Sequence, residues 1–390
     1  MNNFIFYSPT EFAFGKDTEE LTGKLVKKYK GTKVLVHFGG GSVKKSGLLN
    51  KAEDSLKAEK IDYILLGGAK PNPINALVYE GITLCREEKI DFILAVGGGS
   101  AIDSAKAIAA GVLYHGDFWD FFERKAEIKE ALPVGAVLTI PAAGSEGSSN
   151  TVITQELSKR KLGTGAPALR PVFSILNPIY TYSLPPFQTA CGIADMMAHI
   201  LERYFTQTTG VEISDRLCEG ILLTIINQGP IVFKEPENYN ARSNIMWAGT
   251  VAHNGTCGVG RVEDWASHGL EHELSALYDV AHGAGLAVIF PAWMKYVYQE
   301  NVSLFAQYAN RVWGVEVSED KEAMALKGID ATKEFFASIG LPTNFIQLGA
   351  KKSDIDKLIS NLAVNCGGSI GSFKKLSMED AKAIYEIACQ

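Results

Sequence analysis

The chain has no cysteine pair spaced for a metal or redox motif: its six cysteines, at 85, 191, 218, 257, 366 and 389, include no C-x-x-C. That spacing argues against a disulfide framework and fits reduced thiols in a cytoplasmic protein. No apolar run approaches the roughly 18 residues that a membrane helix needs. The opening residues lack the basic segment and apolar core of a secretory signal, so a soluble protein is expected. Positive charge is not in excess either. Lys and Arg number 38 against 44 Asp and Glu, and the net charge of -6 disfavours nucleic acid and anionic membrane as partners. The 38 glycines and 14 prolines are scattered without a period, which excludes fibrous and low-complexity readings. What is present is 390 residues, 46% hydrophobic and 21% charged, enough to bury a large core without staples.

The first half alternates apolar runs of strand length (34–38, 63–66, 92–96 and 136–140) with helical spacing at 48–60, 74–89 and 101–113. Uniformly apolar strands alternating with helices predict a parallel sheet covered on both faces. Residues 151–175 read as a β-hairpin, with Gly163-Thr164-Gly165 at its turn and a return strand after it. Beyond Leu184-Pro185-Pro186 helical periodicity takes over, at 190–204, 214–227, 241–254, 302–313, 321–338 and the C-terminal stretch. The apolar run 286–293, which contains Pro291, reads as a buried element. Ser377 and Asp380 have the spacing of a capping box opening the last helix. An α/β domain over 1–183 and an all-α domain over 184–390 are therefore expected.

Two strand exits are rich in glycine. Residues 93–96 lead into Gly97-Gly98-Gly99-Ser100 and then a helix containing Asp103; residues 34–38 lead into Gly39-Gly40-Gly41-Ser42-Val43-Lys44-Lys45. Bare backbone at a helix N-terminus lets N–H groups approach an anion, and the helix dipole favours negative charge. Two such exits in one sheet predict a dinucleotide lying across strand ends. The Gly97 turn would take the pyrophosphate and the Gly39 turn the adenosine ribose. An acidic residue at the second turn would grip a ribose 2′-hydroxyl. Gly40, Gly41, Ser42, Lys44 and Lys45 offer an environment suited to a 2′-phosphate instead, so NADP(H) is the expected cofactor, with NAD(H) still open.

Histidine is concentrated in the second half: five of the seven lie between His199 and His282. Asp195 and His199 share one helix face at i and i+4, as do His268 and His272, and His282 follows in a loop of small residues. Imidazoles and a carboxylate without thiolates suit Fe²⁺ or Zn²⁺. His253 and His37 read as satisfied or exposed histidines without a chemical role.

With these residues in view, the chain resembles the iron-containing alcohol dehydrogenase family, in its NAD(P)H-dependent butanol dehydrogenase and aldehyde reductase branch. The resemblance spans nearly the whole chain. It is carried by Gly-Gly-Gly-Ser-Val-Lys-Lys (39–45), Gly-Gly-Gly-Ser-x-x-Asp (97–103), Leu-Thr-Ile-Pro-Ala-x-Gly-Ser-Glu (138–146), Met-Trp-Ala (246–248) and Asp-Trp-Ala-Ser-His-Gly-Leu-Glu-His-Glu-Leu (264–274). It implies a Rossmann-like α/β domain followed by an all-α domain, the dehydroquinate synthase-like fold, with the active site in the cleft between them. It implies Asp195, His199, His268 and His282 as ligands of one catalytic metal, and His272 beside the nicotinamide as a catalytic residue outside the ligand set. Gly98, Gly99, Ser100 and Asp103 would line the pyrophosphate and nicotinamide end, with Thr139 and Lys161 also on the cofactor. Ala143 replaces the threonine of many members, and Ser145 stands near to compensate.

The implied reaction is reversible reduction of a short-chain aldehyde such as butanal to a primary alcohol, the metal acting as a Lewis acid and the nicotinamide supplying hydride. Relatives are commonly dimers, so a homodimer is expected. The alternative is a metal-assisted NAD-dependent lyase or cyclase of the dehydroquinate synthase type. That chemistry wants several basic residues around the metal for a phosphorylated substrate, and the segments flanking His268 and His282 offer only Arg261.

Overall fold

The computed structural model describes all 390 residues, Met1–Gln390. Two compact units divide the chain: Tyr7–Leu184 with Glu237–Thr250, and Met1–Phe6 with Pro185–Pro236 and Val251–Gln390. The break at Leu184/Pro185 lies one residue from the boundary drawn on the sequence. The excursions at Met1–Phe6 and Glu237–Thr250 were not foreseen. No helix is long and apolar enough to cross a membrane.

The first unit is built on strands β1 (Glu11–Phe14), β2 (Lys33–Phe38), β3 (Asp62–Leu66), β4 (Phe92–Gly97), β5 (Val134–Leu138), β6 (Asn150–Gln155), β7 (Arg160–Gly165) and β8 (Phe173–Leu176). Six of them form one sheet in the order β1-β8-β5-β4-β2-β3, every pairing parallel. The strands read as continuous apolar runs because both faces are covered. Leu35, Ile93 and Ala95 point into one core cluster, and Val34, Val36, Phe38, Leu94 and Val96 into the other. Strand β2 is flanked by β3 on one side and β4 on the other, in register from Val34 opposite Phe92 to Phe38 opposite Val96. The chain must therefore cross over β2 between β3 and β4. That crossing makes a topological switch point at the carboxyl ends of β2 and β4, where open α/β sheets bind ligands.

Two sequence expectations need correcting. The β6–β7 hairpin turns at residues 156–159, with Lys159 at φ 54°. Gly163-Thr164-Gly165 lies inside β7, where Gly165 opposes Asn150 and a side chain would collide with the Asn150 amide. The glycines serve close strand approach, not reversal. Strand β8 is no return strand of that hairpin but a member of the parallel sheet, between β5 and the unanticipated β1. Edge strand β1 is covered by the helix Tyr239–His253, whose Trp247 meets Phe12 and Phe14 edge-on at 5.5 and 6.0 Å. That contact explains why Glu237–Thr250 groups with the sheet.

The second unit is helical: Pro186–Tyr204, Glu212–Lys234, Ala266–Tyr278, His282–Val297, Val302–Trp313, Lys321–Ser338, Ile355–Cys366 and Met378–Ala388 are its longer helices. The apolar run around Pro291 is the helix His282–Val297, buried from Gly283 through Met294. Gly283 rests directly on the Cys191 backbone, so close that a Cβ could not fit. This approach brings the helices bearing Asp195 and His282 together. The last helix opens with the expected capping box of Ser377 and Asp380.

Candidate metal centre and nucleotide cradle

In the helical unit, Asp195 and His199 face the same way from Pro186–Tyr204, His268 projects from Ala266–Tyr278, and His282 begins the next helix. Donor atoms of Asp195, His268 and His282 lie within 4.8 Å of one another. Asp195 Oδ1 and His268 Nε2 are buried with no hydrogen-bond partner. An orphaned buried polar atom costs free energy on the order of 1–3 kcal/mol, and two orphans facing one point are explained by a cation between them.

The remaining ring atoms are already committed. His268 Nδ1 lies 2.7 Å from Glu202 Oε1, and His282 Nδ1 is bonded to Glu271 Oε2, so each ring is held by a carboxylate behind it and turns Nε2 forward. Glu202 also accepts from the backbone N–H groups of Trp265 and His268, at 2.8 and 3.1 Å. Burial pushes the Glu202 carboxyl up to about 7. Burial would raise Asp195 as well, but the imidazoles of His199, His282 and His268 outweigh it and bring its pKa down to about 2. An ionised carboxylate beside imidazole nitrogens is a donor set that fits Fe²⁺ or Zn²⁺.

His199 stands outside the trio that meets within 4.8 Å. Its Nδ1 lies 2.9 Å from the Asp195 carbonyl and 3.1 Å from Asp195 Oδ1, and its ring packs edge-on against His268 at 4.6 Å. His272 is half-buried one turn beyond His268, with its ring 5.5 Å from that of His282. Sequence reasoning missed Glu202 and Glu271. The signal was helical phase: Glu202 follows His199 by three residues and Glu271 follows His268 by three.

In the sheet unit both glycine exits flank the switch point. Gly98 is extended at φ -89°, ψ -170°, and the helix Gly99–Leu113 starts at once, the Ala101 and Ile102 N–H groups donating to the Gly98 carbonyl at 3.0 and 3.2 Å. A Cβ on Gly97 would come within 2.9 Å of Ala101 and 3.9 Å of the Gly39 nitrogen, so the two turns nearly touch. Side chains at Gly98 and Gly99 would face Ile140 and Ala143, the opposite wall. Gly40 and Gly41 have open space where a side chain would project, and Ser42 and Lys45 beside them are exposed. Thr139 is tied to the same place, its N–H donating to the Gly97 carbonyl at 3.0 Å. A cradle bare of side chains between two walls fits a pyrophosphate.

Asp103 and Ser145 engage each other. Ser145 Oγ donates to Asp103 Oδ1 at 2.5 Å, and Asp103 Oδ2 accepts from the Val152 N–H at 2.9 Å. Beneath them the buried Lys106 ammonium, unnoticed in the sequence, donates to the carbonyls of Ser145, Ser148 and Asn150 at 2.6, 3.0 and 2.9 Å. Burial lowers its pKa to about 8, against the pull of Asp103 and Glu146. Lys161 is buried on β7 and donates to Asn72 Oδ1 at 3.0 Å.

A family model described as iron-containing alcohol dehydrogenase matches residues 9–178, and one for the C-terminal part of the Fe-containing alcohol dehydrogenase family matches residues 189–389. The chain is 40% identical over 387 residues to NADH-dependent butanol dehydrogenase A of Clostridium acetobutylicum, covering 99% of both chains. It is 40% identical over 391 residues to the NADPH-dependent aldehyde reductase YqhD of Escherichia coli, covering 100% of both. The crystal structure of NADH-dependent butanol dehydrogenase A from Thermotoga maritima superimposes with a TM-score of 0.97 at 42% identity, covering 100% of this chain and 99% of that one.

Proposed function

Because the chain belongs to the iron-containing alcohol dehydrogenase family, and is an NAD(P)H-linked alcohol dehydrogenase or aldehyde reductase, we propose that it interconverts short-chain aldehydes such as butanal with their primary alcohols. NADPH is the favoured donor in this reading, and the divalent metal is held by Asp195, His199, His268 and His282. The observation that carries it is the pair of buried atoms Asp195 Oδ1 and His268 Nε2, neither of them hydrogen-bonded, brought together from two helices. When bound, the metal supplies Lewis acidity toward a carbonyl oxygen and the nicotinamide supplies hydride.

The residues of the chain do the rest. Glu202 and Glu271 hold the rings of His268 and His282 through Nδ1, so that Nε2 of each ring is turned forward. The Gly98, Gly99 and Ser100 amides bind the pyrophosphate, and Ser42 and Lys45 take the 2′-phosphate. Thr139 and Lys161 flank the cofactor. Asp103 and Ser145, bonded to each other, fix the wall on which it lies. His272, half-buried near His282, delivers the proton that the reduced carbonyl oxygen needs. The reading includes a cytoplasmic location, supported by six cysteines that are all free thiols. It also includes a homodimer, supported by the exposed apolar run Phe4, Ile5, Phe6 and Tyr7.

Turnover of butanal with NADPH and with NADH, before and after chelation, tests the whole. Activity should disappear with the metal and return with Fe²⁺ or Zn²⁺; full turnover after confirmed metal loss would overturn the reading. His272→Ala should keep its metal and lose about 10²-fold in turnover, a typical general-acid contribution. Unchanged turnover with a raised KM would make His272 a positioning residue.

A further inference from the structure

We propose that Arg203 and His253 position His199 as a metal ligand, an inference that rests on the metal reading above. Arg203 is 4% exposed, yet its guanidinium makes four donated bonds. One goes to the His199 carbonyl at 2.6 Å and one to the Ala252 carbonyl at 3.2 Å. The others reach Glu263 Oε1 at 3.0 Å and His253 Nδ1 at 3.0 Å. The group also lies over the Trp265 ring, 4.7 Å from its centroid. All these residues belong to the helical unit.

A guanidinium can only donate. His253 Nδ1 must then accept, which fixes the direction of that ring. Held so, it packs edge-on against His199 at a centroid distance of 4.4 Å, and Trp265 closes on His199 from 5.6 Å. His199 has one coordinating atom to spare, since Nδ1 is directed to the Asp195 carbonyl at 2.9 Å. Where Nε2 points depends on the tilt of the ring alone, and His253 and Trp265 limit that tilt. The same guanidinium fixes the His199 backbone through its carbonyl, so backbone and ring are both held.

Electrostatics does not account for the arrangement, because a buried cation beside a metal site repels the metal. Glu263 neutralises it, and room for the Arg203–Glu263 pair exists because residue 258 is glycine. A side chain there would strike Glu263 Oε1 and lie 3.4 Å from Arg203 Nε. An apolar residue would fill the space at lower desolvation cost. What the arginine adds is direction.

The test uses metal-free full-length protein with Co²⁺ as the probe, reading affinity by chelator competition and ligand field by visible absorption. His253→Leu and Arg203→Met should weaken Co²⁺ binding 10- to 100-fold, the range for partners behind a ligand, and shift the visible bands. NADPH affinity should stay the same. His253→Phe, which keeps a ring against His199, should recover most of the affinity. Wild-type affinity and unshifted bands in His253→Leu would overturn the inference. Should Arg203→Met not fold, His253→Leu and His253→Phe decide alone. Failure of the underlying reading looks different: Co²⁺ would not bind the wild type, or would bind His268→Ala equally well, and the inference would fall with it.

Discussion

The sheet unit offers a ligand the places where side chains are missing, whereas the helical unit offers side chains whose reactive atoms have no other partner. At the switch point, a Cβ on Gly97 would come within 2.9 Å of the Ala101 Cβ, and side chains at Gly40 and Gly41 would project into open space. At the candidate metal centre, Asp195 Oδ1 and His268 Nε2 are buried without a hydrogen bond, a cost in stability that a bound cation would recover. The first strategy sets position and leaves the choice of ligand to a few neighbours such as Ser42 and Lys45. The second sets the ligand and depends on carboxylates such as Glu202 to set position. Binding at the two places should therefore fail independently, and fail differently.

The sharpest test is His268→Ala. It should abolish metal retention and turnover while NADPH affinity, measured by quenching of protein fluorescence, stays at the wild-type value. Joint loss of both would break the contrast.

The sheet unit has a buried imidazole of its own. His37 Nδ1 lies 3.0 Å from the Leu66 carbonyl and Nε2 lies 2.6 Å from Ser104 Oγ. Burial pushes its pKa down to about 4, with the Leu66 carbonyl opposing, from an ordinary 6.5. Because the folded value is the lower, stability is complete above pH 6.5 and drains away as pH falls toward 4. The gap is worth roughly 3 kcal/mol, about three-hundredfold in the folding constant. In metal-free protein, His37→Phe should flatten the fall in urea stability between pH 7 and pH 4.5. An unchanged fall would assign acid sensitivity to other groups.

Gly40→Asp has the smallest expected effect and isolates ligand choice. A Cβ at Gly40 meets nothing within 4 Å, so the fold should be unaffected. One charge-assisted contact from Ser42 or Lys45 to the 2′-phosphate makes NADPH preferred about tenfold in kcat/KM. The aspartate should reverse that order without altering metal content. Equal use of both cofactors in wild type and variant would show that the Gly39 turn only shapes the backbone.

Much of this was legible in the sequence. The chain adopts the expected α/β and all-α combination of the dehydroquinate synthase-like fold. Strands β2, β4 and β5 could be read because burial on both faces demands unbroken apolar runs. Strand β1 could not, being four partly exposed residues whose place beside β8 depends on contacts far along the chain. Gly163 and Gly165 misled because glycine marks both turns and close approaches, and only the partner strand distinguishes them. Histidine density pointed to Asp195, His199, His268 and His282, since imidazole is rare enough to be noticed, and donor atoms of three of these, Asp195, His268 and His282, lie within 4.8 Å of one another. Glu202, Glu271 and Lys106 escaped because charged residues on helices usually face water; their burial follows from tertiary packing.

The chain passes from one unit to the other at 6/7, 184/185, 236/237 and 250/251, and those passages restrict how such a protein can be divided or recombined. A gene cut at the obvious Leu184-Pro185 junction would yield a sheet fragment without Trp247, leaving Phe12 and Phe14 bare on an edge strand open to aggregation. A chimera that exchanges halves with a relative at the same point would inherit its edge cover from the other parent. Modular as the two chemistries are, the polypeptide is not.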